Sequence, residues 1–139
     1  MRLATVLLST CAVLTGCGTE QVPTAAQLPI ARGDARVEWR GLAACADCEG
    51  IETVLVLERA GDERRYDLVE TFLAEDGGGR FGEVGEWTLQ AATLDLSSST
   101  GARRRYRVLP GGGLGPDADG DVPADQGNGV LLPYQAATR

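Results

Sequence analysis

Two cysteines separated by two residues, Cys45 and Cys48, are the side chains in this sequence best able to do chemistry. A CxxC pair can act in redox catalysis, supply half of a metal site or form a local disulfide. Redox catalysis is disfavoured, because Asp47 and Glu49 flank Cys48 and nearby carboxylates oppose thiolate formation. The sequence favours an intramolecular disulfide, to which the chain-entropy model assigns only about 2 kcal/mol for so short a loop. Binding of Cu(I) by the reduced pair stays open as an alternative, because soft thiolates select Cu(I).

The composition removes several classes of function. The chain of 139 residues has no histidine, its only methionine is Met1, and its 13 basic residues are all arginine. Catalytic triads with histidine, Schiff-base lysines and P-loop lysines are therefore excluded, and we expect binding rather than catalysis. Acidic residues number 20, and the net charge of −7 repels phosphate backbones, so nucleic acid is not an expected partner.

Residues 1–16 have the features of a cleaved signal peptide. Arg2 precedes an apolar run from Leu3 to Leu14, which is too short for the roughly 20 residues that span a bilayer. The sequence Leu14-Thr15-Gly16-Cys17 resembles the signal box of bacterial lipoproteins, in which cleavage precedes a lipid-modified cysteine. We expect lipidation of Cys17 to hold the chain at a membrane. Glycine rather than aspartate at position 18 favours the outer membrane.

This processing also decides which thiols are free. Cys11 lies in the predicted signal peptide and Cys17 is expected to be acylated, so Cys45 and Cys48 are left. In an oxidising envelope compartment, these two can pair only with each other within one chain. A structural zinc site would need a second pair of cysteine or histidine ligands, which the mature sequence lacks.

The elements that must position the pair are short β-strands. Residues 17–35, which start at the lipidation site, are rich in Pro, Ala, Gln and Thr and predict a lipid anchor followed by a flexible tether. Residues 36–135 alternate β-type segments with glycine and aspartate turns, which predicts one folded domain. The predicted strands are Val37 to Trp39, Ile51 to Arg59, Arg65 to Leu73, Glu83 to Gln90, Thr93 to Ser98, Arg105 to Leu109 and Val130 to Tyr134.

Hydrophobic side chains recur at every second position within these segments. Tyr66, Leu68 and Phe72 share one face, as do Tyr106 and Val108. The connections are of hairpin length, so neighbouring strands should be antiparallel and form a meander. The fold class is therefore all-β, with the meander closing into a small barrel that removes its exposed edges.

Two other features have an ordinary structural interpretation. Trp39 and Trp87 on alternating strands predict barrel core rather than a ligand platform. The basic run of Arg103 to Arg105 with Arg107 predicts a solvated strand end that pairs with acidic residues, rather than a docking patch.

The segment from Pro110 to Gly129 predicts a long loop with one weak strand at Leu114. The acidic stretch from Asp117 to Asp121 does not have the glycine and glutamate spacing of an EF-hand, and one copy of a calcium β-roll repeat cannot form that site. An Asp119-Gly120 hairpin turn is the preferred interpretation.

Several of these residues together resemble the N-terminal domain of the NlpE lipoproteins. The matching segments are Trp39-Arg40-Gly41, Cys45-Ala46-Asp47-Cys48-Glu49-Gly50-Ile51-Glu52-Thr53, Tyr66-Asp67-Leu68-Val69-Glu70-Thr71-Phe72 and Gly85-Glu86-Trp87. The resemblance implies a lipocalin-like antiparallel barrel with a CxxC loop after its first strand. It also implies an outer-membrane lipoprotein that is linked to copper tolerance and signals envelope or surface-contact stress to a sensor kinase. Full-length members carry a second, OB-like domain, for which no sequence is left here.

We therefore expect an outer-membrane lipoprotein that acts as an envelope stress sensor or binding module, without catalysis. Its expected partners are the membrane, through the lipid on Cys17, and a protein in envelope stress signalling. No cofactor is certain. The alternative function is a Cu(I)-binding or redox-responsive protein that uses Cys45 and Cys48 as metal ligands in the reduced form.

Overall fold

The computed structural model describes residues 28–117 and 128–135, which form eight β-strands and two short helices. The helix α1 (Pro29–Arg32) is the first element of the described residues, and a single 3-10 turn (Pro110–Gly112) precedes the seventh strand. The strands are β1 (Ala35–Ala43), β2 (Gly50–Ala60), β3 (Glu63–Leu73), β4 (Arg80–Gln90), β5 (Thr93–Ser98), β6 (Arg103–Val108), β7 (Leu114–Pro116) and β8 (Leu132–Tyr134). Within these residues, no helix has the length and apolar character needed to cross a membrane.

The strands form one antiparallel sheet that closes almost completely on itself. The order is β7-β6-β5-β4-β3-β2-β1-β8, so each of the first seven strands pairs with its neighbour in sequence. Leu131, just before β8, exchanges two backbone hydrogen bonds of 2.8 Å with Leu114 of β7. This bridge joins the two edges of the sheet, and the predicted all-β antiparallel barrel is confirmed.

Alternation along the strands separates the interior of the barrel from its outer face. Residues directly opposite each other on paired strands share a face, and the inward residues of β2, β3, β5 and β6 are mostly apolar. Trp39 and Trp87 are both buried, as the sequence predicts for core tryptophans. The buried core consists of Leu28, Ile30, Trp39, Leu55, Leu57, Tyr66, Leu68, Trp87, Leu94, Leu96, Tyr106, Val108, Leu114 and Leu131.

One end of the barrel is closed by α1, and this corrects part of the predicted tether. Leu28 and Ile30 are buried in the core, and the Arg59 guanidinium donates hydrogen bonds to the carbonyl oxygens of Ile30 and Ala31. The sequence around α1 is polar and proline-rich on average, but two apolar side chains are enough to dock one helical turn. Residues 28–35 therefore belong to the folded domain, whereas residues 17–27 of the predicted tether lie outside the described part of the chain.

The other end of the barrel is open because β4 changes partner along its length. Its first half pairs with β3, from Arg80 to Glu86, and its second half pairs with β5, from Gly85 to Gln90. Gly85 lies at the change of partner, where a side chain would collide with the backbone of Ser97. Because β5 pairs with β4 only from Gly85 onward, a groove remains between the start of β4 and the β5–β6 turn.

Candidate functional site

The CxxC pair lies in the loop between β1 and β2, at the open end of the barrel. The sulfur atoms of Cys45 and Cys48 are 2.12 Å apart, so the structure contains the disulfide between them. The loop is fixed on both sides: Ala44 N–H donates to the Asn128 side-chain oxygen at 2.7 Å, and Glu49 N–H donates to the Leu73 carbonyl at 2.8 Å. These hydrogen bonds position the loop independently of the sulfur–sulfur bond.

The surroundings of the pair limit the metals that it could hold. Among the described residues, no group of three or more cysteine, histidine, aspartate and glutamate side chains is arranged to hold a metal ion. Both cysteines are half-buried, while Asp47 and Glu49 are exposed. A cation that needs only two thiolates is compatible with the loop once the disulfide is reduced.

A second polar site lies inside the mouth of the barrel. The Arg104 guanidinium makes a two-pronged ion pair with Glu70, at 2.9 Å and 3.1 Å, and lies 3.4 Å from a Glu83 oxygen. The Tyr66 hydroxyl donates to the other Glu83 oxygen at 2.7 Å. We call Tyr66, Glu70, Glu83 and Arg104 the mouth cluster. It joins β3, β4 and β6 across the interior.

Burial and hydrogen bonding perturb the titration of this cluster. Burial raises the pKa of Tyr66, and its hydrogen bond to Glu83 raises the pKa further. Burial is the largest single influence on Arg104 and lowers its pKa, but the hydrogen bonds and charge of Glu70 together with the charge of Glu83 outweigh burial, so the pKa of Arg104 is raised. The pKa of the nearby Tyr106 is raised chiefly by burial. Arg104 therefore stays charged, and both tyrosines stay protonated well above neutral pH.

Glu70, Glu83 and Arg104 of the mouth cluster form the floor of a groove of about 610 Å³. Leu68, Phe72 and Phe81 form an apolar wall, and the rings of Phe72 and Phe81 meet edge to face at 5.4 Å. Ser98 and Thr100 of the β5–β6 turn complete the rim. The arrangement combines a charged floor with an apolar side, as small-molecule sites commonly do.

The predicted strands did not indicate this cluster, although the sequence contains a signal for it. Glu70 lies between Leu68 and Phe72 on the inward face of β3, where strict alternation predicts an apolar residue. The arginine run was expected to be solvated, but Arg104 turns inward and is half-buried. Arg105 and Arg107 are exposed and pair with Asp95 and Asp117, as expected for the rest of the run.

Other predicted positions lie outside the described residues. They include the signal peptide, the lipidation site Cys17 and the Asp119-Gly120 turn. The weak strand predicted at Leu114 is present as β7.

The fold and the site together define a class of protein: a small antiparallel meander barrel with a disulfide-linked CxxC loop after its first strand. Within that class, the chain belongs to the NlpE N-terminal domain family, whose model matches residues 39–122, more than half of the chain. The matched segment contains the CxxC loop and the whole mouth cluster.

NlpE of Escherichia coli is similar to this chain in sequence and in structure. Lipoprotein NlpE of strain K12 is 41% identical over 71 residues, which cover 50% of this chain and 29% of that protein. A crystal structure titled as the Cpx pathway activator NlpE has a TM-score of 0.51 and 33% identity, over 74% of this chain and 47% of that one. The matched part of this chain thus covers less than half of the NlpE sequence and less than half of the crystallised chain.

Proposed function

We propose that this protein is a lipid-anchored module of the cell envelope that signals envelope stress through protein contact, without catalysis. The observation that carries the proposal is the family match across the barrel, because the similar protein NlpE is named a lipoprotein and its crystal structure is titled as that of a Cpx pathway activator. The chemistry is consistent with binding, because the sequence contains no histidine or lysine for general base or covalent catalysis.

Signalling is tested with a Cpx-responsive reporter in Escherichia coli. Expression of this chain should raise reporter output several-fold. The matched control joins residues 1–27 to an unrelated globular domain, so that the load on lipoprotein transport is the same. An equal response to the control would assign the effect to transport and reject the barrel as the signalling module.

Membrane attachment rests on the segment from Leu14 to Cys17, which supports cleavage after residue 16 and lipidation of Cys17. We propose anchoring at the outer membrane, facing the periplasm of a Gram-negative bacterium. Membrane fractionation of wild type and Cys17→Ala tests this, and the variant should be lost from the outer-membrane fraction. Cys11→Ala is the control, since it changes a cysteine inside the signal peptide. If Cys17→Ala fractionates as wild type does, the lipoprotein assignment is wrong.

A second candidate function is copper handling by Cys45 and Cys48. The observation that favours it is that the loop is held by the Ala44–Asn128 and Glu49–Leu73 hydrogen bonds, so that reduction can free two thiols while the loop stays in place. Two thiolates are a sufficient ligand set for Cu(I).

Titration with Cu(I) separates this function from a purely structural disulfide. Binding should appear after reduction of the protein and be absent from the oxidised protein and from Cys45→Ser/Cys48→Ser. Equal affinity in the double variant would remove both residues from any metal role.

A further inference from the structure

The groove at the mouth of the barrel has a composition that the signalling proposal does not use. A small barrel can fill its interior with side chains, and the middle of this one is filled by Trp39, Leu55, Leu68 and Leu96. Toward the open end, the inward positions change to glutamate and arginine, and a groove of about 610 Å³ remains. That volume lies within the range of about 300 to 1,000 Å³ that small-molecule sites occupy.

The charges in the groove do not balance. Among the described residues that line it, Arg104 is the one cation, and Glu70 and Glu83 both face that guanidinium. At neutral pH the two carboxylates exceed the guanidinium by one negative charge. An anionic ligand would have to displace a carboxylate from Arg104, whereas a cationic ligand would compensate the excess charge. The net charge of −7 on the chain adds a long-range attraction for cations.

The internal hydrogen bonds of the cluster leave room for a donor. The Glu70 carboxylate accepts two hydrogen bonds from Arg104, and a carboxylate offers about four acceptor sites. The Glu70 side chain is 22% exposed, so a ligand in the groove can reach its carboxylate. The floor is therefore preorganised, with Arg104 holding the carboxylate at fixed orientation.

The opposite side of the groove is apolar and partly open. Phe81 is 61% exposed although it packs edge to face on Phe72, and Leu68 lies beneath on the inward face of β3. An aromatic or alkyl body placed on these rings would bury apolar surface and displace water from them. The ring faces also favour a neighbouring positive charge.

We propose that the mouth of the barrel is a binding site for a small organic cation: one protonated amine on an apolar body. The ammonium group lies against Glu70 and Glu83, where it donates hydrogen bonds and balances the excess charge. The apolar body lies on Phe72 and Phe81.

Isothermal titration with three related probes tests the charge requirement. Phenethylammonium, hydrocinnamate and phenethyl alcohol share one ring and a two-carbon spacer, and their end groups are positive, negative and neutral. The site predicts that the ammonium binds at least about tenfold more tightly than the other two, a difference of about 1.4 kcal/mol. Equal binding of all three would show an unselective apolar groove, and absence of ammonium binding would show a closed internal network. Either result overturns the proposal.

Two variants locate the binding. Glu70→Gln makes the cluster neutral and should weaken ammonium binding by about tenfold while it reduces the discrimination against the carboxylate probe. Glu52→Gln is the matched control, because Glu52 is exposed and lies outside the groove, and it removes the same unit of charge. Phe81→Ala provides an independent test on an exposed residue that the fold does not need, and it should weaken binding of the ammonium probe. If Glu70→Gln and Glu52→Gln behave alike, or if Phe81→Ala binds as wild type does, the groove is not the site.

Discussion

The two ends of the barrel are made from the same strands but carry different chemistry. At the closed end, α1 covers the core and the indole N–H groups of Trp39 and Trp87 donate to the carbonyl oxygens of Gly112 and Glu58. At the open end, the cysteines of the disulfide loop and the charged side chains of the mouth cluster are only partly buried. The closed end therefore supplies stability, whereas the open end holds the groups that can meet a ligand, a metal or a reductant.

This difference implies that the reactive groups at the open end can be altered without unfolding the domain. Apolar burial is the dominant stabilising contribution to folding, and most of it lies in the middle and at the closed end of this barrel. Changes at the mouth should therefore cost little in stability. The following predictions test that separation.

The largest effect on stability is expected at the closed end. Ile30 is fully buried in α1, so Ile30→Ala should lower the free energy of unfolding by about 2 to 5 kcal/mol. Phe81→Ala at the mouth is the comparison, because Phe81 is mostly exposed, and it should cost less than about 1 kcal/mol. Urea unfolding of both variants measures the difference. Equal losses would mean that the two ends contribute alike and that α1 does not close the core.

A smaller effect is expected at the disulfide loop. Cys45→Ser/Cys48→Ser should lower the free energy of unfolding by no more than about 2 kcal/mol, because the bond closes a very short loop. Reduction of the wild type should give a similar value and leave the circular dichroism spectrum unchanged. A loss of fold in the double variant would show that the disulfide holds the open end of the barrel together.

The mildest effect is expected from pH acting on the mouth cluster. Burial and the bond to Glu83 raise the pKa of Tyr66 above the value of about 10 in an unfolded chain. The resulting stabilisation is fully present below pH about 10 and is lost as the pH rises through the folded-state pKa. Tyr66→Phe should cost about 1 kcal/mol at neutral pH and show a shallower alkaline loss than wild type.

Chemical unfolding from neutral pH to about pH 11 measures this slope. Tyr106, whose pKa burial also raises, stays in both proteins, so the variant should keep part of the alkaline loss. Identical slopes for wild type and Tyr66→Phe would mean that the hydroxyl of Tyr66 is not protected by the fold.

Strand positions were predictable because alternation repeats over several residues. The segment from Thr93 to Ser98 matches β5 at both ends, and the inward pair Tyr106 and Val108 was identified from period two alone. The start of β4 at Arg80 was not predicted, because glycines 77–79 and Gly82 obscure the alternating pattern there. The helix α1 was missed because one turn is too short to establish a helical period.

The candidate site was predictable only in part. The CxxC loop was placed correctly after the first strand, since both cysteines are local in sequence. The mouth cluster brings Arg104 to Glu70 and Glu83, which belong to other strands, and that contact depends on how the sheet curves. Side-chain pattern gives the face on which each residue lies, but it does not specify which strands meet across the interior.

The bridge between Leu114 and Leu131 has a consequence for the order of folding. From β1 to β7, each strand pairs with the next strand in the sequence, so hairpins can form early and add strands one by one. Pairing of β8 with β1, as in Arg40 with Leu132, joins distant parts of the chain. This pairing therefore costs more loop-closure entropy than the formation of a hairpin does. Closure should therefore be the late kinetic step, and until Leu131 docks, the edges of β1 and β7 stay available to pair with another chain.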